Sequence, residues 1–554
     1  MLGKIRGELV SASSAVGAVF ANPGLRSLEL SWGALSVATW SYAIALSVYA
    51  YEIGGVAAVG LIALIRLAPG ALVSPLSGMV SDKQSRRLVL LVCTALVALI
   101  LGASSVVGLL DGPAVVVYVL AGLFTVASTP FIPAESALTP QLARSPQELA
   151  AANLVYNLID NGGFLVGSLI TGLALAVGPP GIAFAIATVA AAASFLAALG
   201  LPRDERPEYA KGIKAGELVG ETLSGFRLIA VDPGLRLPSA MTGLLALVEG
   251  AADVLVVITA LDLLGLSQSS VGYMNAAWGI GGLIGGAGLA VLLNRGHLIR
   301  SALAGSVILA AGLGLPAVVP VVVAAYVGFL IVGSGHTFVD VASNTLLQRL
   351  GDDESLGRIR GSLESLRLGA MALGSILVPL AVSFAGIRGT LAIAAVLLPI
   401  YLLIRSGRLR ELELGAPLEE RHYELLHTSP IFAPLPIATL ERLCHEVTEM
   451  RVETSEVVIT EGEAGDLFFL IESGVVEVSR AGRPEGTQGP GEGFGEIALL
   501  HDVPRMATVT ARTECILLTL SREDFLGAVT GHARSNETAH SVAAGHLDGR
   551  SPGQ

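Results

Sequence analysis

The sequence predicts an all-α membrane protein of twelve transmembrane helices in two six-helix halves, followed by a small α+β domain with a β-barrel or jelly roll. The 554-residue chain has a mean hydropathy of +0.70 and only 14% charged residues, against about 25% in typical soluble domains. Residues 1–410 contain 24 Lys+Arg and 22 Asp+Glu, whereas residues 411–554 contain 10 Arg, no Lys and 24 Asp+Glu. The composition therefore excludes an ordinary soluble enzyme and a disordered chain. The net charge of −12 is the sum of +2 for residues 1–410 and −14 for residues 411–554.

Twelve apolar segments are each long enough to cross a bilayer, which needs about 20 mostly apolar residues. A soluble helical core would not need so many consecutive segments. Their expected spans are 28–50, 56–80, 88–109, 114–138, 150–176, 180–200, 237–262, 271–293, 299–316, 319–345, 361–384 and 387–405.

Basic residues lie on one side of this arrangement, in the N-terminal segment, in alternate loops and after the last span, while the other side has only Arg388. The positive-inside rule therefore places both termini in the cytoplasm. We expect a multi-pass protein of the inner (plasma) membrane of a bacterium. The longest polar stretch, 202–236, separates the two halves. The expected segments are 1–26 (cytoplasmic), 27–201 (first half), 202–236 (middle loop), 237–405 (second half), 406–427 (linker), 428–535 (C-terminal domain) and 536–554 (flexible tail).

The loop after the second span carries a recognisable motif, which runs from Gly78 through Asp82 and Lys83 to Arg86 and Arg87. It resembles the cytoplasmic loop motif of the major facilitator superfamily, with a serine at position 85 in place of the usual glycine. The resemblance covers roughly residues 28–405 and implies a secondary transporter in which this loop latches the two halves together. A positive-inside anchor is the plainer interpretation of the same residues.

Other segments resemble the exporter-type branch of that superfamily, namely 64–70, 133–140 and 148–153. The fifth span lacks the Gly-Pro pair usual in antiporters of the family, and this departure disfavours drug/proton antiport. Glycine-rich spans such as 279–288 are compatible with close helix packing and with a lipid or lysolipid as an alternative cargo.

Charged residues inside a bilayer cost at least ~2.5 kcal/mol each on insertion scales, so each needs a function or a partner. We expect transport or coupling roles for Arg66, Asp160, Glu249 and Asp253. Glu249 and Asp253 are four residues apart, hence on one helix face, where mutual repulsion favours keeping one of them protonated. Asp340 is a further candidate. For it, as for Glu135, His336, Glu364 and Arg367, a structural ion pair is an equally good interpretation.

The acidic C-terminal part has the pattern of a small barrel between helices. Short strands are expected at 457–459, 467–471, 475–478, 507–511 and 516–520, with helices at 438–447 and 521–529. Glycines 531, 545, 549 and 553 disfavour a long helix after Val529. Cys93, Cys444 and Cys515 are too scattered for a disulfide framework or a metal cluster, so we expect no metal site and no catalytic site.

One loop of this barrel closely resembles the phosphate-binding cassette of cyclic nucleotide-binding domains. Backbone amides after Gly495 can hold an anion at a helix start, Glu496 can accept a bond from a ribose hydroxyl, and Arg505 can donate charge-assisted bonds to a cyclic phosphate. Met506 stands where cGMP-selective relatives tend to have Thr, so cAMP is favoured over cGMP. The expected site residues are Phe494, Gly495, Glu496, Ile497, Ala498, Arg505, Met506 and Ala507.

These observations predict a secondary transporter, an exporter of a small or amphiphilic molecule, regulated by cAMP binding to its cytoplasmic domain. The expected partners are the lipid bilayer, a cyclic nucleotide and an unidentified substrate, with protons as a candidate coupling ion and without a cofactor or nucleic acid. Two alternatives stay open: an unregulated transporter whose barrel is a non-binding scaffold, and a transport-dead receptor that signals through the barrel. The sequence does not determine the substrate, the direction, the sign of regulation or the oligomeric state.

Overall fold

The structure is a computed structural model, and it divides into two compact units, Met1–Leu412 and Glu413–Gln554. It describes residues 17, 19–204, 224–293, 298–350, 353–405, 420–435, 437–530, 535, 538–539 and 541–542. The expected middle loop, linker and tail lie largely outside these residues, so the predicted domain boundaries stay predictions.

The first unit is all helical. Its helices are α1 Pro23–Lys83, α2 Arg86–Leu109, α3 Ala114–Ser128, α4 Phe131–Leu142, α5 Pro146–Val177, α6 Pro180–Leu199, α7 Pro233–Ile258, α8 Ser269–Leu293, α9 Leu298–Val318, α10 Val322–Leu350 and α11 Asp353–Ile404. Many helices start at a proline, whose missing N–H costs nothing in the first turn.

Nine helical stretches of the described residues are long and apolar enough to cross a membrane. Two of them, Pro23–Ser74 with 52 residues and Gly361–Ile404 with 44, are far longer than one crossing requires. Each contains non-helical backbone, at Gly54 and Gly55 in α1 and at Gly386 in α11. The result is a multi-pass membrane protein, while the count of twelve crossings stays a prediction.

Two of the expected spans are less regular than a single α-helix. The span expected at 114–138 is interrupted between α3 and α4, where Pro130 has no N–H to continue the helix. The span expected at 237–262 ends in a π-helical turn, Thr259–Leu263. Such turns occur often at functional sites.

The two halves of this unit meet closely near the loops opposite the chain termini, which we call the distal end. A Cβ atom on Gly272 of α8 would lie 2.4 Å from the backbone nitrogen of Gly172 on α5. A Cβ atom on Gly60 of α1 would lie 2.8 Å from the carbonyl oxygen of Ser375 on α11. Glycine therefore lets the backbones of the two halves touch at this end, as small residues do in membrane helix packing.

The second unit is a jelly roll flanked by helices. Its elements are α12 Glu420–Thr428, α13 Ile437–Glu446, β1 Thr448–Val452, β2 Val457–Ile459, β3 Leu467–Ser473, β4 Val476–Arg480, β5 Arg483–Gln488, β6 Gly493–Phe494, α14 Glu496–His501, β7 Thr508–Ala511, β8 Cys515–Ser521 and α15 Arg522–Thr530. Two antiparallel four-stranded sheets have the orders β1-β8-β3-β6 and β2-β7-β4-β5.

Two separate hydrophobic cores stabilise this unit. One lies between the sheets, around Phe469, Phe494 and Leu517. The other lies between the β1-β8-β3-β6 sheet and the helices, where Phe432, Phe468 and Phe525 pack together.

Strands β1, β5 and β6 were not expected from the sequence. β5 is polar and almost wholly exposed, and β1 buries a single residue, so neither has the alternating pattern that marks a half-buried strand. The sequence also disfavoured a helix after Val529, yet the described positions 535, 538–539 and 541–542 are helical. Ala539 is fully buried in the helical core and the Ser535 hydroxyl donates to the Ile431 carbonyl at 2.6 Å. Packing overrides the local glycine effect here.

Candidate functional site

A single cavity of the barrel collects every residue of the expected nucleotide site. It encloses about 780 Å³, including the open space at its mouth. Strands β4 and β5 form one wall, and α14 and the loop before β7 form the other. The residues of the expected site that line it are Phe494, Gly495, Glu496, Ile497, Ala498, Arg505, Met506 and Ala507.

Arg505 is held in this cavity by neutral oxygen atoms. Its Nη1 donates to the Gly495 carbonyl at 3.0 Å and its Nη2 to the Leu467 carbonyl at 2.7 Å. The guanidinium carbon lies 5.8 Å from the centre of the Phe469 ring. The residue is only 7% exposed, and this burial lowers the pKa of Arg505 below its usual value, while Asp466 and Glu496 oppose the shift.

Glycines allow the backbone to approach this arginine. Gly495, at a φ of 94°, precedes α14, and a Cβ atom there would lie 2.5 Å from Nη1 of Arg505. A Cβ atom on Gly465 would lie 2.5 Å from Nε of the same side chain. The backbone of Arg505 is also fixed, since its N–H donates to the Glu463 carbonyl and its carbonyl accepts from Gly462, both at 2.8 Å. The guanidinium is therefore positioned before any ligand binds.

Opposite α14, the cavity wall contains residues that were not identified from the sequence. Arg480 and Glu485 form an ion pair at 3.3 Å across the β4–β5 hairpin, and Thr487 and Gln488 also line the cavity. The hairpin turns at Ala481 and Gly482, whose φ values are 50° and 74°. Such turns need two left-handed residues, so the glycine was the signal for this hairpin in the sequence.

Arg522, also missed, connects the cassette to the last strand and helix. As the first residue of α15, it bonds Asp502 at 2.9 Å and donates to the carbonyls of Ala498 and Gly465 at 3.3 and 3.4 Å. A cation in the first turn of a helix is unfavourable for the helix dipole. The unfavourable position of this cation was therefore a signal that Arg522 has partners outside its own helix.

In the membrane unit, the structure gives each of the two expected coupling carboxylates a basic partner. Asp253 lies 3.9 Å from Arg66, and Glu249 lies 3.5 Å from His336 and 3.9 Å from Arg367. Glu249 and Asp253 do share one face of α7, but Arg66, Arg367 and the His336 imidazole, from three other helices, lie close to them and offset their repulsion. The Arg66–Asp253 pair joins the first half to the second.

The remaining intramembrane candidates lie around this network. Glu364 and Arg367 pair through two bonds of 3.1 Å, as their spacing suggested. Asp340 accepts from Asn344 at 3.1 Å, and Asp160 is half-buried on α5, where Arg367 and Asp340 act on it electrostatically.

At the expected latch, the side chain of Asp204 lies at the start of α2. Its carboxylate accepts from the backbone N–H groups of Arg86 and Arg87 at 2.6 and 3.2 Å and from the Ser85 hydroxyl at 2.5 Å, so it caps α2. Arg87 also donates to the Leu199 carbonyl at 3.2 Å. The side chains of Gly78, Asp82 and Lys83 lie outside the described residues.

Comparisons with known proteins agree with both resemblances. A family profile described as Major Facilitator Superfamily matches residues 32–374, more than half of the chain. A second profile, Cyclic nucleotide-binding domain, matches residues 449–532.

The individual proteins that are similar to this chain match only a short stretch of it. A cAMP-dependent protein kinase regulatory subunit from Yarrowia lipolytica is 43% identical over 113 residues, which are 20% of this chain and 30% of that protein. A cyclic nucleotide-gated potassium channel from Rhizobium etli is 37% identical over 105 residues, 19% of this chain and 29% of the channel. The chain thus spans less than a third of these relatives.

Among solved structures, the regulatory domain of Toxoplasma gondii PKA co-crystallised with cAMP has 34% identity and a TM-score of 0.19, over 20% of this chain and 43% of that one. The two profile matches cover both units in chain order. The chain therefore belongs to the Major Facilitator Superfamily and carries a C-terminal cyclic nucleotide-binding domain.

Proposed function

We propose that the protein is a secondary transporter that exports a small or amphiphilic molecule and is regulated by cAMP bound in its barrel. Transport proceeds by alternating access of the two helical halves. The nucleotide acts by binding one conformation of the transporter more tightly than the other, since only a difference in affinity can shift a conformational equilibrium.

One observation carries the regulatory part of this proposal. Arg505 is nearly buried at the cavity that holds the rest of the cassette, and two backbone carbonyl groups accept its hydrogen bonds there. Asp466 and Glu496 also act on it electrostatically, and a cyclic phosphate would bring a further negative charge to the guanidinium through charge-assisted hydrogen bonds. The similarity to proteins named for cAMP supports the same ligand.

The choice of cAMP over cGMP rests on Met506. Its side chain lines the cavity and is 41% exposed, so it is available to a base. A thioether is at most a weak acceptor and donates no hydrogen bond, and therefore gives guanine no advantage over adenine.

The proposed route from the barrel to the membrane runs along the chain through α12, which begins inside the expected linker 406–427, and through the part of that linker before it. Arg421 of α12 pairs with the buried Glu472 of β3, and His422 lies 3.4 Å from Glu449 of β1. Helix α12 is therefore attached to the barrel by side-chain pairs. A change in the barrel would pull on the linker and on the last membrane helix.

In the membrane unit, the proposed transport pathway contains Arg66, Asp160, Glu249, Asp253 and Asp340. The Arg66–Asp253 pair holds the halves in the described conformation and must break when they separate.

The motif of Gly78, Asp82, Lys83, Arg86 and Arg87 is proposed as the latch on the terminal side, with Asp204 as an additional member. We propose that both termini, and hence the barrel, lie in the cytoplasm and that the membrane is the inner membrane of a bacterium.

Isothermal titration of the full-length detergent-solubilised protein with cAMP tests the regulatory proposal. Saturable binding at one site per chain, with weaker binding of cGMP, is the expected result. No binding by a protein with an intact melting transition would favour an unregulated transporter whose barrel is a scaffold.

Reconstitution distinguishes a transporter from a receptor and a lipid cargo from a soluble one. Proteoliposomes loaded with candidate amphiphiles, including a fluorescent lysolipid, should show efflux that changes when cAMP is added on the barrel side. A preparation that binds cAMP but moves none of a broad substrate panel would favour a transport-dead receptor, and selective movement of the lysolipid would favour the lipid cargo.

A further inference from the structure

A second acidic cluster in the membrane unit has no basic partner among the described residues. Glu29 of α1 is 1% exposed, and both of its carboxylate oxygens are buried without a hydrogen bond in the described part of the chain. The indole nitrogen of Trp32, one helical turn later, is likewise buried without a bond there. Glu29 was not singled out from the sequence because it stands at the end of an apolar run.

The groups around Glu29 come from α4 and α5. Glu135 of α4 is 4% exposed and accepts bonds from Thr139 at 3.0 Å and Ser136 at 3.3 Å. Tyr156 of α5 stacks on Trp32, with ring centres 5.2 Å apart and planes inclined by 9°. Phe131 of α4 covers the Trp32 ring as well, at 5.5 Å.

The charged groups that act on this cluster are acidic. Glu135 acts on Glu29, and both act on Tyr156 together with Asp160 of α5 and Glu364 of α11. Arg26, three residues before Glu29, is exposed. Within the described ranges, no Lys, Arg or His forms an ion pair with Glu29 or Glu135.

An ionised carboxylate in such surroundings is too costly to persist, because its charge is buried from solvent and faces neither a donor nor a cation of the described residues. The group is neutral when it carries a proton. Glu249 and Asp253 differ in this respect, since Arg367 lies 3.9 Å from Glu249 and Arg66 lies 3.9 Å from Asp253. The geometry therefore separates a paired carboxylate site from an unpaired one.

We propose that Glu29 is the site where the transporter binds and releases a coupling proton, with Glu135 as the neighbouring acid that opposes its ionisation. This inference rests on the proposed transport function. Loss of the proton leaves a charge on Glu29 that the described packing of α1, α4 and α5 disfavours. Protonation thus biases the equilibrium between conformations, as any ligand does that binds one of them better.

Infrared difference spectroscopy of the full-length protein in lipid nanodiscs, titrated with pH, tests the protonation directly. We expect a protonated-carboxyl band at neutral pH that decreases by one carboxyl per chain in Glu29→Gln and persists in Glu29→Asp. Glu52→Gln, an exposed acid at the distal end, is the matched control and should leave the band unchanged. An unchanged band in Glu29→Gln would overturn the proposal.

A structural proton stays bound, whereas a coupling proton is taken up on one side of the membrane and released on the other. In proteoliposomes, proton movement should therefore accompany substrate efflux in the wild type and be lost in Glu29→Gln. Unchanged proton movement per substrate in Glu29→Gln would overturn the coupling role even if Glu29 is protonated. A cAMP titration of the same preparation keeps the two proposals apart, since normal cAMP binding with proton movement that does not depend on Glu29 rejects only this inference.

Discussion

Arg505 in the barrel is buried and Arg66 in the membrane unit is partly buried, and their partners differ. Arg66 lies 3.9 Å from a carboxylate of the opposite half, Asp253. Arg505 is held by two backbone carbonyls. A buried charge that finds its counter-ion within the chain fastens two parts of the fold together. A buried charge whose hydrogen bonds go to neutral carbonyls can still bind an ion from outside, whereas the Glu29 carboxylate has no hydrogen bond among the described residues.

The largest effect is expected from the substitution that removes the charge facing the cavity. Arg505→Gln should weaken cAMP binding about 100-fold, since hydrogen bonds to charged groups contribute up to about 3 kcal/mol. Titration calorimetry measures the change. Arg480→Gln is the control, because Arg480 lines the same cavity but already has Glu485 as its partner. Equal losses in the two variants would show that Arg505 has no special role.

The corresponding substitution in the membrane unit removes Asp253, the counter-ion of Arg66. Asp253→Asn should destabilise the protein by about 2 kcal/mol, since it leaves Arg66 without its partner while the network remains partly solvated. The melting temperature in detergent reports the effect, and Asp111→Asn, at an exposed loop, should leave it unchanged. The double variant Arg66→Met, Asp253→Leu should recover most of the loss, and if it melts even lower, the ion-pair interpretation is wrong.

A smaller effect tests how closely the backbone fits around Arg505. A methyl group at Gly465 would lie 2.5 Å from Nε of Arg505, so Gly465→Ala should displace the guanidinium and weaken cAMP binding about tenfold, or about 1.4 kcal/mol. Gly486→Ala is the control, since its Cβ atom would meet nothing within 4 Å although the residue lines the same cavity. Unchanged affinity in Gly465→Ala would show that the arginine is free to adjust.

The smallest effect concerns the base. Met506→Thr adds a hydroxyl to the cavity wall and should improve cGMP binding relative to cAMP about fivefold, because one hydrogen bond contributes about 1 kcal/mol. Competition of the two nucleotides for a fluorescent analogue measures the ratio. A ratio that does not move would remove Met506 from the determinants of selectivity.

The sequence was sufficient wherever a local pattern carries the information. The cassette from Phe494 to Ala507 could be identified because its members are close in sequence and chemically specific, and the apolar spans because hydrophobicity accumulates over about 20 residues. Strands β2, β3, β4, β7 and β8 were found near their observed places for the same reason.

What the sequence could not provide is the identity of partners distant along the chain. Glu249 and Asp253 are an obvious repelling pair in sequence, and only the fold shows that Arg66 and His336 offset the repulsion. Asp204 was overlooked because its partner, the start of α2, is more than a hundred residues away. Glu29 is the converse case, since its lack of a partner among the described residues is visible only when its neighbours are known.

The glycine contact at the distal end can be used to shift the transporter away from the described conformation. Since a single methyl group on Gly272 would collide with the backbone at Gly172, Gly272→Ala acts as a molecular wedge. It would exclude the described arrangement without touching any charged residue. A chain wedged in this way should populate the other conformation of the transporter, in which the Arg66–Asp253 pair is broken, and would make that conformation accessible to structure determination.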